Sequence, residues 1–299
     1  MNRKKKKRTF IVGVLLVISL IGICQYFQAR KEATLEPYIK LYLHEQGTIV
    51  GMDLEQYIKG VVTAEMPASF DIEALKAQAV CARTYAVKKL TEEHSYPQGA
   101  DLSDDVNYCQ AYASSSPGEL AKRIDEAVES TRGEIMLFDS KPIDALYCST
   151  CGGKTESAAA VWGKDVSYLR SVKCDDCTNS PHYQNSQTIN NEDLNKLVGD
   201  KGKTLNIKIL TQTPSGRLKS LSINGHQLDA GTLRTELKLP SSWLEFHPSV
   251  NTTVINTKGY GHGVGLCQYG ANGMAQRGKD YHQILKKYYS GIVFYQLAY

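Results

Sequence analysis

Thr9 to Phe27 reads TFIVGVLLVISLIGICQYF, without one charged side chain. About 19 residues is close to the length needed to cross a hydrocarbon core as a helix. Residues 3–8 immediately before it are Arg-Lys-Lys-Lys-Lys-Arg, six positive charges and no acid. Basic residues on that flank stay cytoplasmic, which places everything from about residue 30 outside. A cleaved signal peptide would have a shorter apolar core, about 7 to 15 residues, and a small-x-small cleavage site. The flank from Cys24 to Arg30 reads CQYFQAR and offers no such site. The sequence therefore predicts a basic cytoplasmic tail (1–8), a retained transmembrane anchor (9–27), a linker (28–36) and an extracytoplasmic domain (37–299). Its expected place is the cell membrane, as a single-pass protein.

The same six residues decide how the charge is read. The chain carries 35 Lys+Arg against 31 Asp+Glu, a net +4. Outside the basic run, 29 basic residues face 31 acidic ones, so the remainder is slightly negative. A nucleic-acid binder needs its positive excess on the folded part, and this chain has none there. No nucleic-acid partner is expected. With 42% hydrophobic and 22% charged residues, the chain is not disordered as a whole.

Ile39–Leu43 and Thr48–Met52 are short β-like runs flanking Glu45-Gln46-Gly47, the pattern of a hairpin. Asp53 with Gln56 reads as a capping box opening a helix, on which Leu54, Ile58, Val61 and Glu65 share one stripe until Pro67 ends it. Asp71 caps a second helix, striped by Ile72, Leu75, Ala79, Ala82, Ala86 and Leu90, with Arg83 at the stripe's edge. Residues 91–118 read as loop, followed by a helix over Glu119–Thr131 and a β-rich stretch over Gly133–Tyr147. Further strands are expected near Leu205–Leu210 and Leu218–Ile223, the latter closed by an Asn224-Gly225 turn, and a last helix over Asp280–Tyr289. There is no regular βαβ alternation. The predicted fold class is α+β, mixed helices and short antiparallel strands around a groove, preceded by the single transmembrane helix.

Glu65 breaks its own pattern, because it lies in line with residues that should be buried. A desolvated carboxyl has a raised pKa, which suits a general acid near neutral pH. The plainer reading is a helix-end glutamate turned to solvent. Arg83 has two readings as well: an internal ion pair that would lower a neighbouring glutamate's pKa, or a substrate-side cation. The alternating glycines of Gly259-Tyr-Gly-His-Gly-Val-Gly265 are not a phosphate loop, since no Gly-Lys-Ser/Thr follows and no Gly-x-Gly-x-x-Gly opens a helix. They signal close backbone approach, either to a glycan or to neighbouring structure. His262 within them is a ligand or acid, or else a hydrogen-bonded residue fixing the loop. Cys148-x-x-Cys151 and Cys174-x-x-Cys177 have the spacing of a four-cysteine zinc site, with two disulfides as the rival reading. Cys81 and Cys267 read as small buried residues.

Taken together, Tyr57-Ile-Lys-Gly-Val-Val-Thr-Ala-Glu-Met-Pro67, Glu73-Ala-Leu-Lys-Ala-Gln-Ala79 and Ala82-Arg-Thr-Tyr-Ala86 closely resemble the stage II sporulation protein D and amidase-enhancer family. Cys151-Gly-Gly-Lys-Thr-Glu156, Trp162-Gly163, Tyr168-Leu-Arg-Ser-Val172, the glycine loop and Gln268-Tyr-Gly-Ala271 extend that resemblance in order to the C-terminal region. It implies a lytic transglycosylase that cuts peptidoglycan glycan strands to 1,6-anhydro-muramic products after an amidase has removed their stem peptides. The setting it implies is septal thinning and engulfment during sporulation, with a cell-wall amidase and membrane proteins as partners. Glu65 falls in the family's Glu-Met-Pro motif and would serve as acid and then base. Arg83, Tyr168 and Arg170 would face substrate, with Gln78, Tyr85, His262, Gln268 and Tyr269 as further contacts. No cofactor is required for the chemistry; a structural zinc is the one metal implied. Some relatives hold zinc through a His/Cys cluster, and here His94 and Cys109 are comparable, with Ser103 and Tyr108 at the other two positions. The rival function is a glycan-binding enhancer of an amidase that does not cut. A zinc-dependent protein-interaction module is a third.

Overall fold

A computed structural model describes residues 36–92, 96–114, 117–200 and 205–299. In chain order its strands are β1 (Tyr38–Leu43), β2 (Thr48–Asp53), β3 (Leu102–Ser103), β4 (Glu134–Phe138), β5 (Lys141–Pro142), β6 (Tyr147–Cys148) and β7 (Gln184–Asn190). They continue as β8 (Ile207–Gln212), β9 (Leu218–Ile223), β10 (His226–Asp229), β11 (Leu244–Pro248), β12 (Thr252–Lys258), β13 (Leu266–Cys267) and β14 (Val293–Gln296). The helices are α1 (Leu54–Glu65), α2 (Ile72–Thr91), α3 (Glu119–Ser130), α4 (Ala158–Trp162), α5 (Asn191–Leu197), α6 (Ala230–Glu236), α7 (Gln268–Ala275) and α8 (Tyr281–Tyr288).

Helix α2 is the axis of the molecule. Asp71 caps it by accepting a hydrogen bond from the Glu73 N–H at 2.9 Å. Its sequence is rich in alanine, so neighbouring elements approach closely on several sides. Ala74, Leu75, Ala77, Gln78, Val80, Cys81, Arg83 and Thr84 are all buried, a much wider face than the single predicted stripe. Helices α1, α3, α7 and α8 and strand β4 pack around it. Helix α1 stops where Pro67 forces Met66 into extended backbone. Asp53 stands at its N-cap without a side-chain capping bond, so the expected capping box does not form.

Residues 184–258 build a second core, in which Leu194, Leu218, Leu221, Ile223, Leu233, Leu244 and Ile255 are buried together. It holds two antiparallel three-stranded sheets, ordered β10-β9-β8 and β11-β12-β7. The Asn224-Gly225 turn joins β9 to β10 as expected, with both residues at positive φ.

Two features of the predicted architecture need correction. The sheets are small and not all antiparallel: β3 lies parallel to β1, and β13 lies parallel to β6. Both parallel pairs are two residues long and join segments distant in sequence, so alternation patterns do not signal them. The expected membrane anchor is corrected as well. Among the described residues, no helix is long and apolar enough to cross a membrane. The longest, α2, carries Glu73, Lys76, Arg83, Lys88 and Lys89 along its length and spends its apolar surface on the core. Residues 9–27, where the anchor was expected, lie outside the described residues, so the single-pass architecture and the cell-membrane location are not supported.

Candidate active site

Glu65 is the last residue of α1, at the point where the chain leaves the helix toward Pro67. It lines a groove of about 390 Å³ with Pro67, Tyr147, Cys148, Ser149, His182, Tyr260, Gly261, His262, Gln268 and Tyr269. Its side chain is half-buried, and desolvation raises its pKa above the usual glutamate value. Two smaller effects oppose that shift: the Ala111 N–H donates to Oε1 at 2.9 Å, and the Tyr147 hydroxyl stabilises the charged form. The Tyr147 oxygen also lies 3.0 Å from Gln110 Oε1, so its one proton is shared between two acceptors, and Gln110 Nε2 donates to the Tyr57 hydroxyl at 3.3 Å. The carboxyl is thus seated by a hydrogen-bonded floor and faces an open groove. Among the described residues lining that groove it is the one carboxyl.

The glycine loop supplies the facing rim. Gly265 has φ +76°, and a side chain there would meet the Leu146 carbonyl oxygen at 1.8 Å. Of the two readings of this loop, close approach to neighbouring structure is the one realised. His262 is held inside it: the Val264 N–H donates to its Nδ1 at 3.0 Å. Burial, with Arg234 and Arg217 adding repulsion, lowers its pKa to about 4 against an opposing backbone hydrogen bond at Tyr147. A histidine neutral at pH 7 is a loop-fixing and hydrogen-bonding residue, not a general acid. The ring of Trp162 stands 5.4 Å from it, outside the groove's lining, while Tyr260 packs at 4.7 Å against His182 and gives the groove an aromatic face.

Four of the predicted residues come together here, Glu65, His262, Gln268 and Tyr269. Gln78 stands behind them, fully buried, accepting from Gln268 Nε2 at 3.2 Å. The others do not reach the groove. Arg83 is fully buried and donates to both oxygens of Glu55, Nε to Oε1 at 2.8 Å and Nη2 to Oε2 at 2.6 Å. It also donates to the carbonyls of Glu134 and Val128, and Gly133 N–H donates to Glu55 at 3.0 Å. This is the internal ion pair of the plainer reading, with Glu55 and not Glu65 as its partner. Tyr85 donates to the Tyr108 carbonyl, Tyr168 donates to Asp144, and Arg170 is exposed and bonded to the Ser167 carbonyl. None of these three lines the groove.

Gln110, Tyr147, Ser149, His182 and Tyr260 are groove or floor residues that sequence reasoning did not select. Gln110 directly follows Cys109, the nearest residue weighed in the sequence. A larger cavity, about 930 Å³, lies in the second lobe beside Trp243, Phe246 and Lys258, but its carboxyl, Glu245, is exposed. Among its described lining residues there is no buried acid.

The described cysteines carry free thiols, so the rival reading of two disulfides finds no bonded pair. Four sulfurs do gather, those of Cys151, Cys174, Cys177 and Cys267, all within 4.8 Å of one another. This corrects the predicted set. Cys267, expected to be a simple buried residue, takes the place of Cys148, which lines the groove instead. Of the relatives' other zinc position, His94 lies outside the described residues. Cys109 is bonded to the Tyr96 hydroxyl.

Comparison with known proteins identifies the family. The family model "SpoIID: Stage II sporulation protein" matches residues 42–138, the segment holding Glu65, Arg83 and Gln110. Stage II sporulation protein D of Bacillus subtilis (strain 168) is 37% identical over 266 residues, covering 85% of this chain and 77% of that protein. The Bacillus amyloliquefaciens protein of the same name is 36% identical over the same span. The amidase enhancer of Bacillus subtilis (strain 168) is 28% identical over 293 residues, although only 39% of its own length is covered. The chain belongs to the stage II sporulation protein D family.

Proposed function

We propose that this chain is a lytic transglycosylase acting on peptidoglycan glycan strands, with Glu65 as its single acid and base. The observation that carries this reading is a lone, desolvated carboxyl in an aromatic-walled groove. Ordinary glycosidases need two carboxyl groups, about 5 to 9.5 Å apart, because a water or the enzyme itself must attack. Intramolecular ring closure needs only one. Protonated Glu65 gives its proton to the glycosidic oxygen as the bond to C1 breaks. The carboxylate then takes the proton of the same sugar's six-position hydroxyl as that oxygen bonds to C1. The cycle closes with Glu65 protonated again and no water consumed. With Oε1 held by Ala111, Oε2 is the oxygen that carries the proton. In this reading the substrate is strands already stripped of stem peptides by an amidase, and the similarity to a protein named amidase enhancer supports a cell-wall setting.

Peptide-free glycan strands incubated with the protein are expected to yield fragments ending in 1,6-anhydro-muramic acid, read by mass spectrometry. Binding of the strands with no such fragments would favour the non-cutting enhancer. The pH profile offers a second check. The first step needs protonated Glu65, so activity falls as pH rises through its pKa. Tyr147 stabilises the charged form, so removing its hydroxyl raises that pKa further. Tyr147→Phe should shift the alkaline limb of kcat/KM to higher pH. An unmoved limb would separate Glu65 from the observed titration.

A further inference from the structure

We propose that Cys151, Cys174, Cys177 and Cys267 bind one zinc ion as a closed four-thiolate site. The distances select this ligand. A tetrahedral zinc with bonds of about 2.3 Å separates its sulfurs by about 3.8 Å. Cys151 Sγ and Cys177 Sγ are 3.7 Å apart, and the four sulfurs stay within 4.8 Å of one another. Disulfide sulfurs would be about 2.05 Å apart. An iron–sulfur cluster would hold the cysteine sulfurs farther apart, with irons and sulfides between them.

The surroundings are built for thiolates. All four residues are fully buried, which is costly for charge unless a cation and hydrogen bonds compensate it. Binding displaces the thiol protons and leaves a net double negative charge on the site. Donors already point at the sulfurs. Cys151 N–H and Gly270 N–H donate to Cys267 Sγ at 3.2 and 3.3 Å, and the Tyr288 hydroxyl lies 3.2 Å from Cys174 Sγ. Cys267 is also the N-cap of α7, where the helix dipole favours a negative sulfur. Gly270 has no side chain because a Cβ there would sit 2.5 Å from Cys174 Sγ. These contacts form the outer shell that orients ligands and offsets their charge.

The site staples three segments remote in sequence: the turn after β6, the Asp175–Cys177 turn and the start of α7. The next two residues after Cys267 are Gln268 and Tyr269, which line the groove. Tyr269 N–H donates to the Ser149 carbonyl at 3.1 Å, joining the two stapled segments along that wall. The metal's role is to fix this wall, and its presence is independent of whether the protein cuts glycan.

Full-length protein purified under reducing conditions should contain one zinc per chain by elemental analysis. Titration with a mercurial reagent beside a zinc-binding dye should release that zinc with four thiol equivalents. Cys148→Ser should keep the full zinc content, whereas Cys267→Ser should lose most of it. Zinc lost from Cys148→Ser, or absent from the fully reduced chain, would overturn the assignment. So would a non-reduced mass lowered by the hydrogens of one or two disulfides. The wild-type titration and Cys148→Ser decide the question even if Cys267→Ser does not fold.

Discussion

Glu65→Gln is expected to remove glycan cleavage by at least ~10²-fold and up to ~10⁴-fold, the range for a positioned acid and base. The substitution keeps the shape and an oxygen for the Ala111 N–H, so the groove should still bind strands. Its effect on stability has the opposite sign. Burial raises the folded-state pKa of Glu65 above the unfolded value of about 4.3. The folded state therefore binds the proton more tightly, and stability from this group falls as pH rises from the unfolded value through the folded one. At neutral pH the ionised carboxyl is a cost that glutamine does not carry. The variant should melt no lower than the wild type at pH 7, and the difference should vanish below about pH 4. A thermal melt alongside the activity assay checks both; an unfolded Glu65→Gln would mark the residue as structural.

Arg83→Met should produce the largest loss of stability. Removing one partner of a fully buried ion pair typically costs about 3–5 kcal/mol, because the other charge is left in a low-dielectric interior. The guanidinium also satisfies two backbone carbonyls, so its loss loosens α1, α2, α3 and β4 together. For a domain of this size the expected fall in Tm is roughly 10 °C or more. The double change Glu55→Leu with Arg83→Met should recover much of it, since no charge is then left alone. The KM for glycan of the folded fraction should stay unchanged. A raised KM with an unchanged Tm would return Arg83 to the substrate side.

Local signals carried much of this molecule. Pro67 ended α1 where expected, Asp71 capped α2, Asn224-Gly225 made its hairpin, and the Glu65 stripe pointed to a partly desolvated acid. What local patterns could not carry was pairing at a distance. Arg83 met Glu55 and not Glu65, because helix spacing gives an angle and not a neighbour. Cys267 joined the sulfur cluster in place of Cys148 because β13 lies beside β6, a two-residue parallel contact without a sequence signature. His182 and Tyr260 came into the groove through the glycine loop for the same reason. The small helices α4, α5, α6 and α7 were too short for periodicity to distinguish them from loop. The six-residue basic run still accounts for the net charge, but the anchor expected beside it has no helix to represent it among the described residues.

The central claim is that one carboxyl cuts the strand without water. Digestion of peptide-free glycan in heavy-oxygen water tests it most directly. The account predicts new chain ends that are 1,6-anhydro sugars and carry no solvent oxygen. Reducing ends labelled by the solvent would show hydrolysis, require a second catalytic group, and contradict it.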